Sequence, residues 1–259
     1  RADSAPRLSA TNTTYLQDFT LVAGNPAGAG GSGGGSVGYY TATFTTGGCP
    51  STGLVSYWKL NSNMNDENTT NNGALPGVPN TPVYFVGQNQ ESLAFDGTND
   101  YADLGTFNPG ANGGLAIGAW VRFSSLAATD YTIIAKASGT ATASTTWALG
   151  VTTVTVNGVP RKVLTYTVKA GGTSTQIIAS RGWLHENIWT FVAGTYNASN
   201  GEMKIYKGQD EVGAGNHAVG GNVTTNADAV WLGDHPAAAG SRPLSGFIDE
   251  VKIYDAALS

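Results

Sequence analysis

The chain is poor in charge. Charged side chains make up 12% of its 259 residues, against roughly a quarter in an ordinary soluble domain. Thr, Ser, Asn and Gly take the surface positions that Lys and Glu would otherwise fill. Basic residues are scarce in particular: 13 Lys and Arg stand against 18 Asp and Glu, a net charge of −5. With a pI near 5.1, the sequence lacks the basic footprint that binding to nucleic acid needs. No run of about 18 apolar residues occurs, which excludes a helical membrane span. The single Cys49 excludes an internal disulfide; such a thiol bonds to another chain or is simply buried, and burial is the more common state. Sustained helical periodicity is also missing, leaving room for no more than a short helix in a loop. Disorder is nevertheless excluded by a 41% hydrophobic content and by plentiful aromatics. An uncharged polar surface of this kind is common in secreted, cell-surface and virion proteins, so an extracellular or surface location is expected.

Short strands and turn chemistry are abundant. Asn157-Gly158 separates the runs Val151–Val156 and Lys162–Val168, a hairpin signal because both turn residues tolerate positive φ. Asn200-Gly201 joins Trp189–Tyr196 to Glu202–Tyr206 in the same way. Ile117, Ala119, Val121 and Phe123 alternate with Gly118, Trp120 and Arg122. Many strands without a βαβ rhythm mean an antiparallel sandwich or barrel.

The first 53 residues differ in kind. Residues 24–38 read GNPAGAGGSGGGSVG, with Gly at eight of fifteen positions, the composition of a flexible hinge. Strand-like runs flank it: 15–22, with Tyr15, Leu16, Phe19, Leu21 and Val22, and 39–44, with Tyr39, Tyr40 and Phe44. No charge occurs between Asp18 and Lys59. An apolar, chargeless strand-former pairs readily with other strands, so these residues are the expected assembly elements.

Several segments, in order, resemble laminin-G-like members of the concanavalin A-like lectin/glucanase superfamily. They are GLVSYWKLNSNMNDENTTNNGAL (53–75), SLAFDGTNDYADLG (92–105), LAIGAWVRF (115–123), WTFVAGTYNASNGEMKIYKGQDEVG (189–213) and GFIDEVKIYDAALS (246–259). The resemblance implies a two-sheet antiparallel jelly roll over 54–259, preceded by an arm, 1–53, that it does not cover. It also implies that the first and last strands of the domain are neighbours. It names no single function, because the fold serves glycan binding, adhesion, assembly and hydrolase appendages alike.

Period-2 alternation in the closing strand groups Asp249 with Phe247, Val251 and Ile253. A carboxylate on that apolar face must be paired or coordinated. Two readings stand open. Asp249 accepts backbone N–H bonds at a sheet corner, or it holds a structural Ca²⁺, which relatives often carry near this edge, with oxygens from loop residues such as Asn61 and Asp66. Asp96 and Asp100 in FDGTNDY are expected to make Asx turns.

Hydrolases of this fold prompt a catalytic check. Concanavalin-like glucanases align two Glu and one Asp along a strand, yet no E-x-D-x-x-E string occurs here. The adjacent pairs Asp66-Glu67, Asp210-Glu211 and Asp249-Glu250 point to opposite faces of a strand. The Gln-x-His strand of the alginate-lyase branch is absent, and His185, His217 and His235 show neither metal nor triad spacing. No catalytic residue is assigned. Among six Trp, core placement is expected for Trp58, Trp120 and Trp189. Trp183 lies in the loop-like Arg181-Gly182-Trp183-Leu184-His185, where an exposed aromatic with Arg181 and His185 suits stacking on a sugar. Sequons at Asn12, Asn68, Asn197 and Asn222 are glycosylation sites if the source glycosylates Asn.

Two functional classes follow. One is a non-catalytic structural or adhesive subunit that self-associates by adding strands of its arm to a neighbour, a virion fibre or decoration protein being a variant. The other is a monomeric, calcium-dependent carbohydrate-binding module with a glycan around Trp183.

Overall fold

The computed structural model describes residues 53–111 and 113–258 in full, and the backbone alone at 8–10, 19–21 and 42–43. The chain divides into two compact units, Arg1–Thr52 and Gly53–Ser259. In the first, three short strands, β1 (Leu8–Ala10), β2 (Phe19–Leu21) and β3 (Ala42–Thr43), form a sheet in the order β1-β2-β3. Phe19 and Leu21 thus fall within β2. Tyr15, Leu16, Val22, Tyr39, Tyr40, Phe44 and the sequon at Asn12 lie outside the described residues.

The second unit is an antiparallel sandwich, as expected. Its strands in chain order are β4 (Leu54–Trp58), β5 (Val83–Val86), β6 (Glu91–Asp96), β7 (Ala102–Asp103), β8 (Gly114–Phe123), β9 (Tyr131–Ala137), β10 (Thr145–Val156), β11 (Val159–Ala170), β12 (Thr173–Ile178), β13 (Thr190–Asn197), β14 (Glu202–Lys207), β15 (Asp210–Asn216), β16 (Val230–Leu232) and β17 (Ser245–Tyr254). One sheet runs β12-β11-β10-β9-β16-β7. The other runs β15-β14-β13-β8-β17-β6-β5, with β4 also paired to β17. The first and last strands of the unit are therefore neighbours. The short helix is a single 3₁₀ turn, Thr142–Ser144.

Local chemistry explains the longest hairpin. Asn157 at φ 51° and Gly158 at φ 77° supply the two positive φ values of a type I′ turn. Val156 then pairs with Val159, and ten residue pairs join β10 to β11. Between the sheets, Trp58, Trp147, Tyr166, Tyr196 and Phe123 are all at most 1% exposed. Phe107 packs between Trp58 and Trp147, at ring separations of 5.7 and 6.3 Å. The buried Tyr hydroxyls are satisfied: Tyr166 donates to the Leu115 carbonyl and Tyr196 to that of Gly221.

The closing strand departs from simple alternation. Asp249 pairs with Trp120, but three residues later Lys252 pairs with Gly118, two residues back along β8. One extra residue on β17, with Glu250 at φ 53°, makes a bulge that switches faces. Ile248, Val251 and Ile253 consequently point into the core. Phe247 lies on the outer face, 5.6 Å from Phe85 and 6.2 Å from Trp189, with the Arg122 guanidinium 5.2 Å from its ring. Trp120 and Trp189 are half-buried on that outer face rather than in the core.

Candidate functional site

Asp249 is fully buried, beneath the β5–β6 turn. One oxygen, Oδ2, accepts the Asn89 N–H at 2.8 Å; the other, Oδ1, is buried without a protein partner. Gly87 lies so close that a Cβ there would stand 2.7 Å from Oδ2. Burial, with the Glu250 charge adding to it, pushes the Asp249 carboxyl up to about 7. The neighbouring Glu250 accepts hydrogen bonds from the Tyr57 hydroxyl and from Asn89 Nδ2.

The other two expected metal ligands are committed elsewhere. Asn61 Oδ1 accepts the Glu91 N–H. Asp66 accepts the N–H groups of Tyr57 and Asn68 and the Thr69 hydroxyl, and these bonds hold its carboxyl below its usual range against the upward pull of burial. A calcium ion asks for six to eight oxygens, whereas this set offers one uncommitted carboxylate oxygen. Among the described residues, no group of three or more His, Cys, Asp and Glu side chains is placed to hold a metal ion. The donor set does not fit calcium. In FDGTNDY, Asp96 makes the expected Asx turn by accepting the Thr98 N–H, whereas Asp100 makes no such turn and closes the loop by accepting the Asp96 N–H four residues back.

Trp183 and His185 line one open cleft of about 310 Å³, together with Leu126, Arg161, Lys162 and Glu186. Two segments build it. The type I′ turn delivers the start of β11 to one wall, and the segment after β12 crosses to the other, where the Leu184 N–H bonds the Lys162 carbonyl. Gly182 makes that crossing possible: its φ is +75° and a Cβ would stand 2.5 Å from Val212 Cγ1. Trp183 is half-buried against the core, and Lys207 Nζ donates to its carbonyl. Glu186 accepts the Leu126 N–H at 2.7 Å. Lys162 is turned inward, bonded to Thr153 Oγ1 and the Ala128 carbonyl, and burial lowers its pKa.

Arg181 does not join the cleft. Its Nε and Nη2 both donate to the Glu211 carbonyl, so it clips the segment to the edge of β15. The cation that does line the cleft is Arg161 from β11. Its guanidinium and the His185 ring make no hydrogen bond or ion pair among the described residues. Arg161 was invisible to local sequence reading because it enters from a different hairpin. Of the sequons, Asn222 is exposed, Asn68 donates its amide to the Leu54 and Val55 carbonyls, and Asn197 caps its own turn through Ser199.

A family model described as the concanavalin A-like lectin/glucanases superfamily matches residues 96–259, well over half of the chain. The chain belongs to this superfamily. No curated protein matches it. Among solved structures, domain 4 of AbnA, a GH43 extracellular arabinanase from Geobacillus stearothermophilus in complex with arabinotriose, is 19% identical with a TM-score of 0.55, over 80% of this chain and 94% of that one. Tailspike protein 2 from the Escherichia coli O157:H7 bacteriophage CAB120 is 16% identical with a TM-score of 0.51, and the match covers 70% of this chain but 25% of the tailspike. At such identities the likeness shows the fold alone.

Proposed function

We propose that residues 53–259 are a non-catalytic carbohydrate-binding domain of an extracellular or surface protein, with the Trp183 cleft as its glycan site. The cleft itself carries this reading: a half-buried indole in an open concavity of about 310 Å³, flanked by an uncommitted guanidinium and imidazole. An aromatic face stacks on a sugar ring while the polar groups around it fix the hydroxyls. The arabinotriose-bound domain of similar fold is consistent with it. The non-catalytic part rests on the cleft's single carboxylate, Glu186, which already holds the Leu126 N–H; glycoside hydrolysis uses two. On a glycan array the full chain should retain a defined set of glycans, Trp183→Ala should lose those held at the cleft, and prolonged incubation should release no new reducing ends. Release of reducing ends would make it a hydrolase.

A second reading, assembly through the N-terminal arm, is favoured by an acceptor of the right kind. Strand β5 is an uncharged sheet edge with Val83, Phe85 and Val86 54–72% exposed, where strand addition is easily accommodated. Deleting residues 1–50 should then convert higher assemblies to a folded monomer in size-exclusion chromatography with light scattering. Assemblies that persist after the deletion would overturn this reading.

A further inference from the structure

A second concavity, unrelated to Trp183, opens on the outer face of the six-stranded sheet. Its floor alternates with the core: Trp147, Leu149 and Val151 of β10 point inward, so Ala148, Gly150 and Thr152 point out. Thr165 and Thr167 of β11 and Gln176 of β12 continue that floor, and the groove holds about 170 Å³. Gly150 leaves the space open, since a Cβ there would stand 2.7 Å from the Tyr131 carbonyl oxygen and 3.4 Å from Thr165 Oγ1.

The wall comes from the loop between β16 and β17. Asp234 is fully buried, and its carboxylate accepts the N–H groups of His235, Gly240 and Arg242. That cage fixes the two neighbours that line the groove, His235 and Arg242. His235 is 1% exposed, and neither ring nitrogen has a protein partner. Buried polar atoms in folded proteins are as a rule hydrogen-bonded, so these two closed-off nitrogens are exceptions set in the groove wall. Burial, and secondarily Arg242, lowers the imidazole pKa to about 4, so near neutral pH the ring is uncharged, with one donor and one acceptor nitrogen.

We propose that this groove is a second binding site, for the ring of a neutral, hydroxyl-bearing sugar residue. Threonines and the Gln176 amide make up half of the lining, Tyr131, Ala148 and Val151 add apolar surface, and one acid and one cation, Asp130 and Arg242, balance in charge. Each is only partly used: Asp130 Oδ1 accepts the Thr152 hydroxyl, Gln176 Nε2 donates to Thr167 Oγ1, and one Arg242 nitrogen donates to the Thr140 carbonyl. The remaining donors and acceptors match the mixed donor–acceptor character of sugar hydroxyls. At about 170 Å³ the groove is smaller than the ~300–1,000 Å³ of drug-sized pockets, which suits a single terminal ring rather than a chain. No aromatic side chain is exposed in it for stacking, so hydrogen bonds make the selection, in contrast to the Trp183 cleft.

The test is an NMR titration of the full chain with D-glucose, D-galactose, D-mannose and L-arabinose, and with D-glucuronic acid as the charged control. At least one neutral sugar should move the His235 ring signals and the Thr165 and Thr167 methyl signals, in the wild type and in Trp183→Ala alike. The double variant Thr165→Val/Gln176→Leu should keep the wild-type melting temperature and lose at least tenfold in affinity. The proposal fails if no neutral sugar moves these signals, if glucuronic acid alone does so, or if the double variant binds as the wild type does. Loss of groove binding in Trp183→Ala would assign all recognition to the cleft and would equally overturn it.

Discussion

Asp249 holds its proton in the folded chain up to about pH 7, whereas an unfolded aspartate releases it near 3.8. Between those two values the folded state binds the extra proton, so stability falls as pH rises through this window and is lowest above about 7. A difference of that size corresponds to about 4 kcal/mol at most. Asp249→Asn keeps an oxygen for the Asn89 N–H and removes the charge. Its melting temperature should therefore exceed the wild type's at pH 8 and match it at pH 4. A variant less stable than the wild type at pH 8 would show that the carboxylate is paired in a way the structure does not contain. The residue scale also marks where sequence reading stopped. Strict alternation puts Asp249 on one core face with Phe247, Val251 and Ile253, but the bulge leaves Asp249 on the outer face with Phe247 while Val251 and Ile253 turn inward. The burial of Asp249 under the β5–β6 turn was not legible either, because the bulge at Glu250 has no glycine to announce it. His235 is a similar case: only the Asp234 cage, a tertiary arrangement, buries its ring.

Among the elements, the β10–β11 hairpin was legible because Asn-Gly encodes its turn within two residues. The cleft was half legible. Trp183 and His185 share a short segment and were found together, while Arg161 reaches them only because the hairpin places the start of β11 opposite. Arg181 looked equivalent in sequence, but its guanidinium is drawn to the Glu211 carbonyl. The crossing segment depends on Gly182. Gly182→Ala forces a side chain into the left-handed region and against Val212, at an expected cost of about 2–3 kcal/mol. Its denaturant midpoint should fall accordingly, and glycan retention should weaken with it. An unchanged midpoint would mean that the segment relaxes freely and does not shape the cleft.

For the whole molecule, the sandwich over residues 53–259 supplies two concavities of different chemistry: an aromatic cleft at the β11 end and a hydroxyl-lined groove on the outer face of the six-stranded sheet. Neither gathers a catalytic pair of carboxylates. The order of the strand motifs was enough to place the chain in its superfamily, because those motifs encode alternation and turns. It said nothing of what the concavities hold, because each is assembled from residues more than 20 positions apart in sequence. Isothermal titration of the full chain with a glycan retained on the array, comparing wild type with Trp183→Ala and Arg161→Ala, tests the central claim most directly. The account predicts binding at the cleft that weakens at least tenfold, about 1.4 kcal/mol, in each variant, whatever binds at the groove. Wild-type affinity in Trp183→Ala would contradict it.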